Sequence, residues 1–122
     1  MANFVCLLQF TDQGVRNIKD TTKRADAATA EAEKMGAKIT QAFWTMGAYD
    51  VILLLEAPDD ETASAFTAKF GLMGNVKTQT MRAFGRQEIE NILAKIRLLG
   101  VVSSSFSSRA DIARELRQAY AS

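Results

Sequence analysis

The stretch Thr45-Met46-Gly47-Ala48-Tyr49-Asp50-Val51-Ile52-Leu53-Leu54-Leu55-Glu56 decides the fold. Its second half is almost wholly apolar, as a strand must be when both of its faces are covered. Residues 37–45, just before it, are more mixed and carry Lys38, Thr40 and Gln41. Between the two stands Gly47, and Gly at the first central position of a two-residue loop is what a type II′ hairpin turn requires. Residues 37–45 and 49–56 are therefore expected to form an antiparallel hairpin turning at Gly47-Ala48.

Upstream of the hairpin, residues 3–10 read as a strand, rich in Phe, Val and Leu and ended by Thr11-Asp12-Gln13-Gly14. A short helical turn over 15–19 and a longer helix follow. The helix starts near Asp20-Thr21-Thr22, ends at Gly36, and turns Ala25, Ala28, Ala32 and Met35 inward. Those side chains are small, so the helix can lie close to what it covers. Downstream, Pro58-Asp59-Asp60-Glu61 opens a helix with acidic residues at its positive end, Ala63, Phe66 and Phe70 form its apolar face, and Gly71 closes it. Residues 75–84 make a fourth strand with polar alternation, and 87–99 a third helix with Ile89, Ile92, Leu93, Ile96 and Leu99 on one stripe.

The order βαββαβ with an appended helix is the ferredoxin-like α+β pattern, with a four-stranded antiparallel sheet. In that topology strands one and three are central and strands two and four are edges. Phe4-Val5-Cys6-Leu7-Leu8 and Val51-Ile52-Leu53-Leu54-Leu55 are apolar on both faces, whereas the fourth strand carries Lys77, Thr78, Gln79, Thr80 and Arg82. Polarity thus falls where the fold needs it. Two helices cover only one face of such a sheet, and the other still shows four aliphatic side chains in the two central strands. At about 1.5–3 kcal/mol per buried aliphatic side chain, leaving them wet forfeits roughly 6–12 kcal/mol. A second copy of the chain is the expected cover, giving a homodimer or higher oligomer; the appended helix of the same chain is the alternative.

Composition removes whole classes of chemistry. The chain has 122 residues, one domain's worth, and 15 basic against 14 acidic side chains, so a net charge of +1 gives no reason to expect nucleic acid. No histidine is present, which excludes an imidazole base, a Ser-His-Asp triad and a His-ligated haem. A single cysteine, Cys6, suits a reducing compartment and reads as a small buried hydrophobe. The N-terminus lacks a basic region and its apolar run stops at Gln9, and no run approaches the roughly 20 residues that span a bilayer. A cytoplasmic protein without membrane partner, metal or cofactor is the expectation.

Thr45-Met46-Gly47-Ala48-Tyr49-Asp50, followed by Glu56-Ala57-Pro58-Asp59-Asp60, resembles the GYD domain family, named for a Gly, a Tyr and an Asp in this arrangement. Thr11-Asp12-Gln13-Gly14-Val15-Arg16-Asn17-Ile18-Lys19-Asp20 and Gly74-Asn75-Val76-Lys77-Thr78 resemble it too, so the likeness covers residues 3–96. It implies a ferredoxin-like subunit of the dimeric α/β barrel superfamily. It implies no reaction, although that superfamily includes cofactor-free monooxygenases, polyketide cyclases, isomerases and haem enzymes.

Tyr49 and Asp50 are strand neighbours and point to opposite faces, one toward the cleft between sheet and helices. Either they exchange protons with a small molecule there, or Tyr49 packs with its hydroxyl bonded and Asp50 ties backbone at the hairpin end. Asp12, Arg16 and Lys19 follow strand one at the mouth of the same cleft; they either hold a carboxylate or phosphate or form a solvated ion-paired loop. Arg82 poses the same choice. Trp44 and Phe43 face oppositely, and Trp44 can stack a planar ligand or simply pack. Gly71 and Gly74 do not make a phosphate loop, and no metal-ligand spacing exists.

Residues 97–122 lie beyond the resemblance. A serine-rich linker over 100–108 leads to an amphipathic helix capped by Ser107 or Ser108, with Ile112, Leu116, Ala119 and Tyr120 on one side and Arg109, Arg114, Glu115 and Arg117 on the other. It is expected to dock on its own or a sister subunit, or to recruit a larger assembly. Three functions stay open: a small-molecule binder using the sheet–helix cleft, an interaction module built on its dimer and tail, and a cofactor-independent monooxygenase- or cyclase-like enzyme. A roomy polar cleft with a bound ligand would favour the first; a cleft filled by Phe66, Phe70 and Trp44 would favour the second.

Overall fold

A computed structural model of the chain describes residues 1–98, 113–114 and 116–118. Its backbone divides into two compact units, Met1–Ala83 and a second that begins at Phe84. The first unit holds β1 (Ala2–Phe10), α1 (Asp12–Arg16), a 3₁₀ turn (Ile18–Asp20), α2 (Thr21–Lys34), β2 (Lys38–Trp44), β3 (Val51–Ala57), α3 (Asp60–Met73) and β4 (Val76–Ala83). The strands form one antiparallel sheet in the order β2-β3-β1-β4. The two apolar strands are central and the two mixed ones are edges, which is the ferredoxin-like arrangement.

Side-chain alternation on the central strands sorts the two faces. Phe4, Cys6 and Leu8 of β1 and Val51, Leu53 and Leu55 of β3 are buried, together with Ala28 and Ala32 of α2 and Ala63 and Phe66 of α3. These residues make one core between the sheet and the two helices. Val5 and Leu7 of β1, paired with Leu54 and Ile52 of β3, point to the opposite face and are half-buried in the single chain. On the same face Phe43, which pairs with Ile52, is 51% exposed, and Met81, which pairs with Val5, is exposed.

Three local features depart from the sequence expectation. The β2–β3 connection is wider than a two-residue turn: β2 ends at Trp44 and β3 begins at Val51. Gly47 does take positive φ, at 109°. The loop, however, is closed by Thr45, whose amide donates to the Asp50 carbonyl at 2.8 Å and whose hydroxyl donates to the Tyr49 carbonyl at 2.6 Å. The Asp50 amide is taken by β1, donating to the Leu8 carbonyl at 2.8 Å, so residues 49–50 cannot also pair with β2. Second, α3 runs through Gly71 to Met73 and ends at Gly74, whose φ of 82° lies in the left-handed region that terminates a helix. Third, the register of β2 against β3 shifts between Ile39 and Gln41, a bulge at Thr40 that lets both Ile39 and Ala42 face the core.

In the second unit α4 (Arg86–Leu98) begins where the Gly85 amide donates to Glu88 Oε1 at 3.2 Å, with Lys95 and Arg97 in its last turn. Residues 113–114 and 116–118 are helical. The expected linker over 100–108, Leu99 of the third-helix stripe, and Ser107, Ser108, Arg109, Ile112, Glu115, Ala119 and Tyr120 of the tail lie outside the described residues.

Candidate functional site

The helix face of the sheet is closed at one end and open at the other. Around Ala32, Leu55, Ala57 and Ala63, all 1% exposed or less, α2 and α3 lie tight on the strands. Toward the N-terminus of α2 the inward residues are again alanines, Ala25 and Ala28, and side chains that short do not fill the space beneath the helix. A cleft of about 340 Å³ results. Leu8, Val51 and Leu53 form its floor, and Phe66 and Phe70 of α3 form one wall, their rings edge to face at 4.8 Å. Trp44 lines the mouth and its indole N–H donates to the Thr21 hydroxyl at 2.9 Å. The cleft is roomy, as a ligand site requires, but apolar rather than polar. Phe66, Phe70 and Trp44 line it without filling it.

Among the described residues three charged side chains line this cleft: Glu31, Lys69 and Arg24. Lys69 on α3 donates to Glu31 on α2 and holds its carboxyl below the usual range. Arg24 projects from the first turns of α2. Its Nη1 donates to the Asn17 carbonyl at 2.5 Å and its guanidinium lies 5.9 Å from the Phe10 ring centre. Its Nη2 is buried and has no hydrogen-bond partner among the described residues. Sequence reading passed over Arg24, because an arginine in a helix beginning Thr-Thr-Lys-Arg looks like one of many solvated charges.

Asp50 lies at the end of β1, where its Oδ2 accepts from the Phe10 amide at 2.7 Å. Tyr49 reaches across the open face, and its hydroxyl donates to Gln79 Oε1 at 2.8 Å. Gln79 pairs with Leu7, so that bond lies on the side away from the helices and the cleft. Asp12 shares a shallow depression with Asp50, Thr11, Gly74 and Lys77. Arg16 and Lys19 are exposed and do not line the cleft. Arg82 sits at the other end of β1: its Nη1 donates to the Asn3 carbonyl at 3.2 Å and its guanidinium stacks 5.6 Å from the Phe4 ring centre. Of the candidate catalytic and binding residues read from the sequence, Trp44 alone lines the cleft.

The three family-like motifs meet at the end of β1. Thr11 donates its amide to the Asn75 carbonyl at 3.1 Å and its hydroxyl to the Gly74 carbonyl at 2.5 Å, and it accepts the Gly14 amide at 3.2 Å to cap α1. Gln13 Nε2 reaches the Met73 carbonyl and Asn75 Oδ1, each at 3.0 Å. Asp50 holds Phe10 beside them. The motif residues tie three chain segments together next to the cleft mouth.

Other chemistry is sparse. Burial raises the Cys6 thiol above its ordinary value, an effect partly offset by Thr80, its neighbour across the sheet. Among the described residues no group of three or more His, Cys, Asp or Glu side chains could hold a metal ion, and no helix is long and apolar enough to cross a membrane.

Sheet order and helix placement thus define an α+β domain of the ferredoxin-like class. The GYD domain family matches residues 4–93. The chain belongs to that family. It is 24% identical over 98 residues, 80% of this chain and 100% of the relative, to a Thermus thermophilus protein named "Glutamine synthetase and cystathionine beta-lyase binding protein". A crystal structure of a protein from Thermus thermophilus is similar at 18% identity and a TM-score of 0.46, covering 70% of this chain and 95% of that one.

Proposed function

We propose that this chain is a cytoplasmic interaction domain that pairs with a second copy of itself and binds partner enzymes. The observation that carries this reading is the open sheet face, where Val5, Leu7, Ile52 and Leu54 lie together with the exposed Phe43 and Met81 beside them. A continuous apolar patch on a sheet is an interface in search of its partner, and twofold pairing is the commonest solution. The relative that matches over its whole length is named for binding glutamine synthetase and cystathionine β-lyase, which supports enzymes of that kind as partners. The two residues best suited to acid–base work in the sequence, Tyr49 and Asp50, are engaged in bonds that hold the fold. Residues 97–122 extend the domain as a tail that docks on the assembly.

Native mass spectrometry of the full-length protein, alone and mixed with purified glutamine synthetase and cystathionine β-lyase from the same organism, tests this. A dimer or larger particle that forms a defined complex with either enzyme is expected. A monomer that binds neither overturns the reading. Truncation after Ile96 should lower the particle order if the tail docks on the assembly.

A second reading is favoured by the cleft itself: the domain carries a small molecule between its sheet and helices. A volume of about 340 Å³ with apolar walls and a few polar groups is the usual form of such sites.

A further inference from the structure

Among the described residues, the cleft lining has one charge that no ion pair neutralises. Glu31 and Lys69 satisfy each other, which leaves Arg24. A guanidinium stays protonated at any physiological pH and carries five N–H donors in a planar fork. One edge of the fork is used by the Asn17 carbonyl, while Nη2 is cut off from water and meets no acceptor among the described residues. A buried donor without an acceptor is costly, and more so when it belongs to a charged group. Thr21, three residues earlier on the same face of α2, also lines the cleft. Its oxygen accepts the Trp44 indole, so its own proton is free to be donated. Two donors from one helical turn suit the two oxygens of a single carboxylate. The rest of the lining, from Leu53 to Phe66 and Phe70, offers an aliphatic or aromatic body a dry surface and offers a second polar group little.

We propose that the cleft binds an apolar monocarboxylate, its carboxylate beside the Thr21 hydroxyl and the Arg24 guanidinium, which turns its unmet Nη2 into the cleft to meet it, and its tail against Phe66 and Phe70. This rests on the second reading above, that the cleft is a ligand site, and names the class of molecule held there. Its volume, near the lower end of the roughly 300–1,000 Å³ typical of small-molecule sites, sets the scale at a medium-chain or single-ring acid.

The test titrates the full-length protein with octanoate and, separately, with 1-octanol, which has the same tail and no charge. Trp44 is the sole tryptophan and lines the cleft, so its fluorescence reports occupancy directly. Octanoate should saturate the signal at a concentration at least about tenfold lower than octanol, the difference expected of a hydrogen bond to a charged group. Arg24→Gln should remove that preference and Arg24→Lys should keep part of it. Ala28→Leu, which fills the cleft, should weaken octanoate at least about tenfold. Equal affinity for acid and alcohol overturns the carboxylate assignment and leaves the cleft a plain apolar site. Octanoate binding that Ala28→Leu leaves unchanged, or no binding of either probe, overturns the cleft reading and this proposal with it. The acid-to-alcohol ratio on the unaltered protein decides the matter even if the Arg24 variants do not fold.

Discussion

The Asp50 carboxylate accepts the Phe10 amide at 2.7 Å while the Asp50 amide donates to the Leu8 carbonyl at 2.8 Å. One loop residue thereby continues the β1–β3 ladder past its last strand pair, Leu8 with Val51. The Phe10 amide would otherwise be left half-buried without an acceptor, which is why an acidic side chain stands here. Asp50→Ala should therefore lower stability by about 1–3 kcal/mol, and Asp50→Asn by less, since the amide oxygen can still accept. Urea unfolding of both variants measures this. An unchanged midpoint in Asp50→Ala would show that the carboxylate has no structural role and return it to the pool of functional candidates.

Three glycines around α1 and α3 separate steric from conformational demands. A Cβ on Gly14 would stand 2.1 Å from the Asn75 carbonyl oxygen, a backbone atom that also accepts the Thr11 amide. Gly14→Ala must push the two segments apart and should cost about 1–3 kcal/mol. Gly74→Ala has no clash with backbone but places an L-residue at φ 82°, for about 1–2 kcal/mol. Gly71 lies inside α3 with open space at its Cβ position, so Gly71→Ala should stabilise the protein by about 0.5–1 kcal/mol. Thermal or urea midpoints in the order Gly71→Ala, parent, Gly74→Ala, Gly14→Ala check the set.

The contrast between Gly71 and Gly74 also shows where the sequence stops speaking. Apolar runs on β1 and β3 and the polar ones on β2 and β4 announce their places in the sheet, because burial on both faces leaves no room for a polar side chain. Which of two glycines ends a helix depends on which one the chain needs in the left-handed conformation, and that is set by where β4 must start. Ile39 and Ala42 break strict alternation, and the bulge at Thr40 that reconciles them is invisible in composition. The site was less legible still. A strand puts Trp44 and Phe43 on opposite faces without saying which of them meets the cleft, and Arg24 stands out only through an Nη2 that lacks an acceptor among the described residues, which is a property of packing between segments and not of any local pattern.

Asp59 caps α3 by accepting the Thr62 amide at 2.7 Å, and the Thr62 side chain and then its amide lower the Asp59 carboxyl below the ordinary aspartate value. A group whose pKa is lower in the folded state binds its proton more weakly there than in the unfolded chain. Its contribution is complete above the unfolded value, near pH 4, and is lost as pH falls through the folded one. The difference in stability between the parent protein and Asp59→Ala should thus be constant from about pH 7 to pH 5 and shrink below about pH 4. Denaturant titrations at stepped pH read it. A difference that grew in acid would reverse the sign of the coupling.

Cys6 offers a clock for the core. It lies in β1 at 1% exposure, with its thiol raised by burial, and thiols react as thiolates. An aromatic disulfide reagent at pH 8 should label it only as fast as the sheet opens, many-fold slower than in denaturant. Immediate labelling in native buffer would mean that β1 is exchanging far more readily than a central strand should.

The open face yields the sharpest prediction about assembly. Ile52 sits between Leu7 on β1 and Phe43 on β2, within the half-buried apolar patch. In a twofold pairing every residue near the axis is present twice, so Ile52→Glu would bring two carboxylates into one dry interface, where neither finds a cation. In the single chain the same side chain remains partly in water, and its cost is of the order of 1 kcal/mol. Ile52→Glu should therefore halve the particle mass while far-UV circular dichroism stays native. Trp44, on the opposite face of the sheet, should keep its fluorescence and its response to octanoate. A variant that remains associated at full mass would move the interface elsewhere on the chain, and one that lost both its association and its Trp44 signal would show that the single-chain fold depends on the second copy.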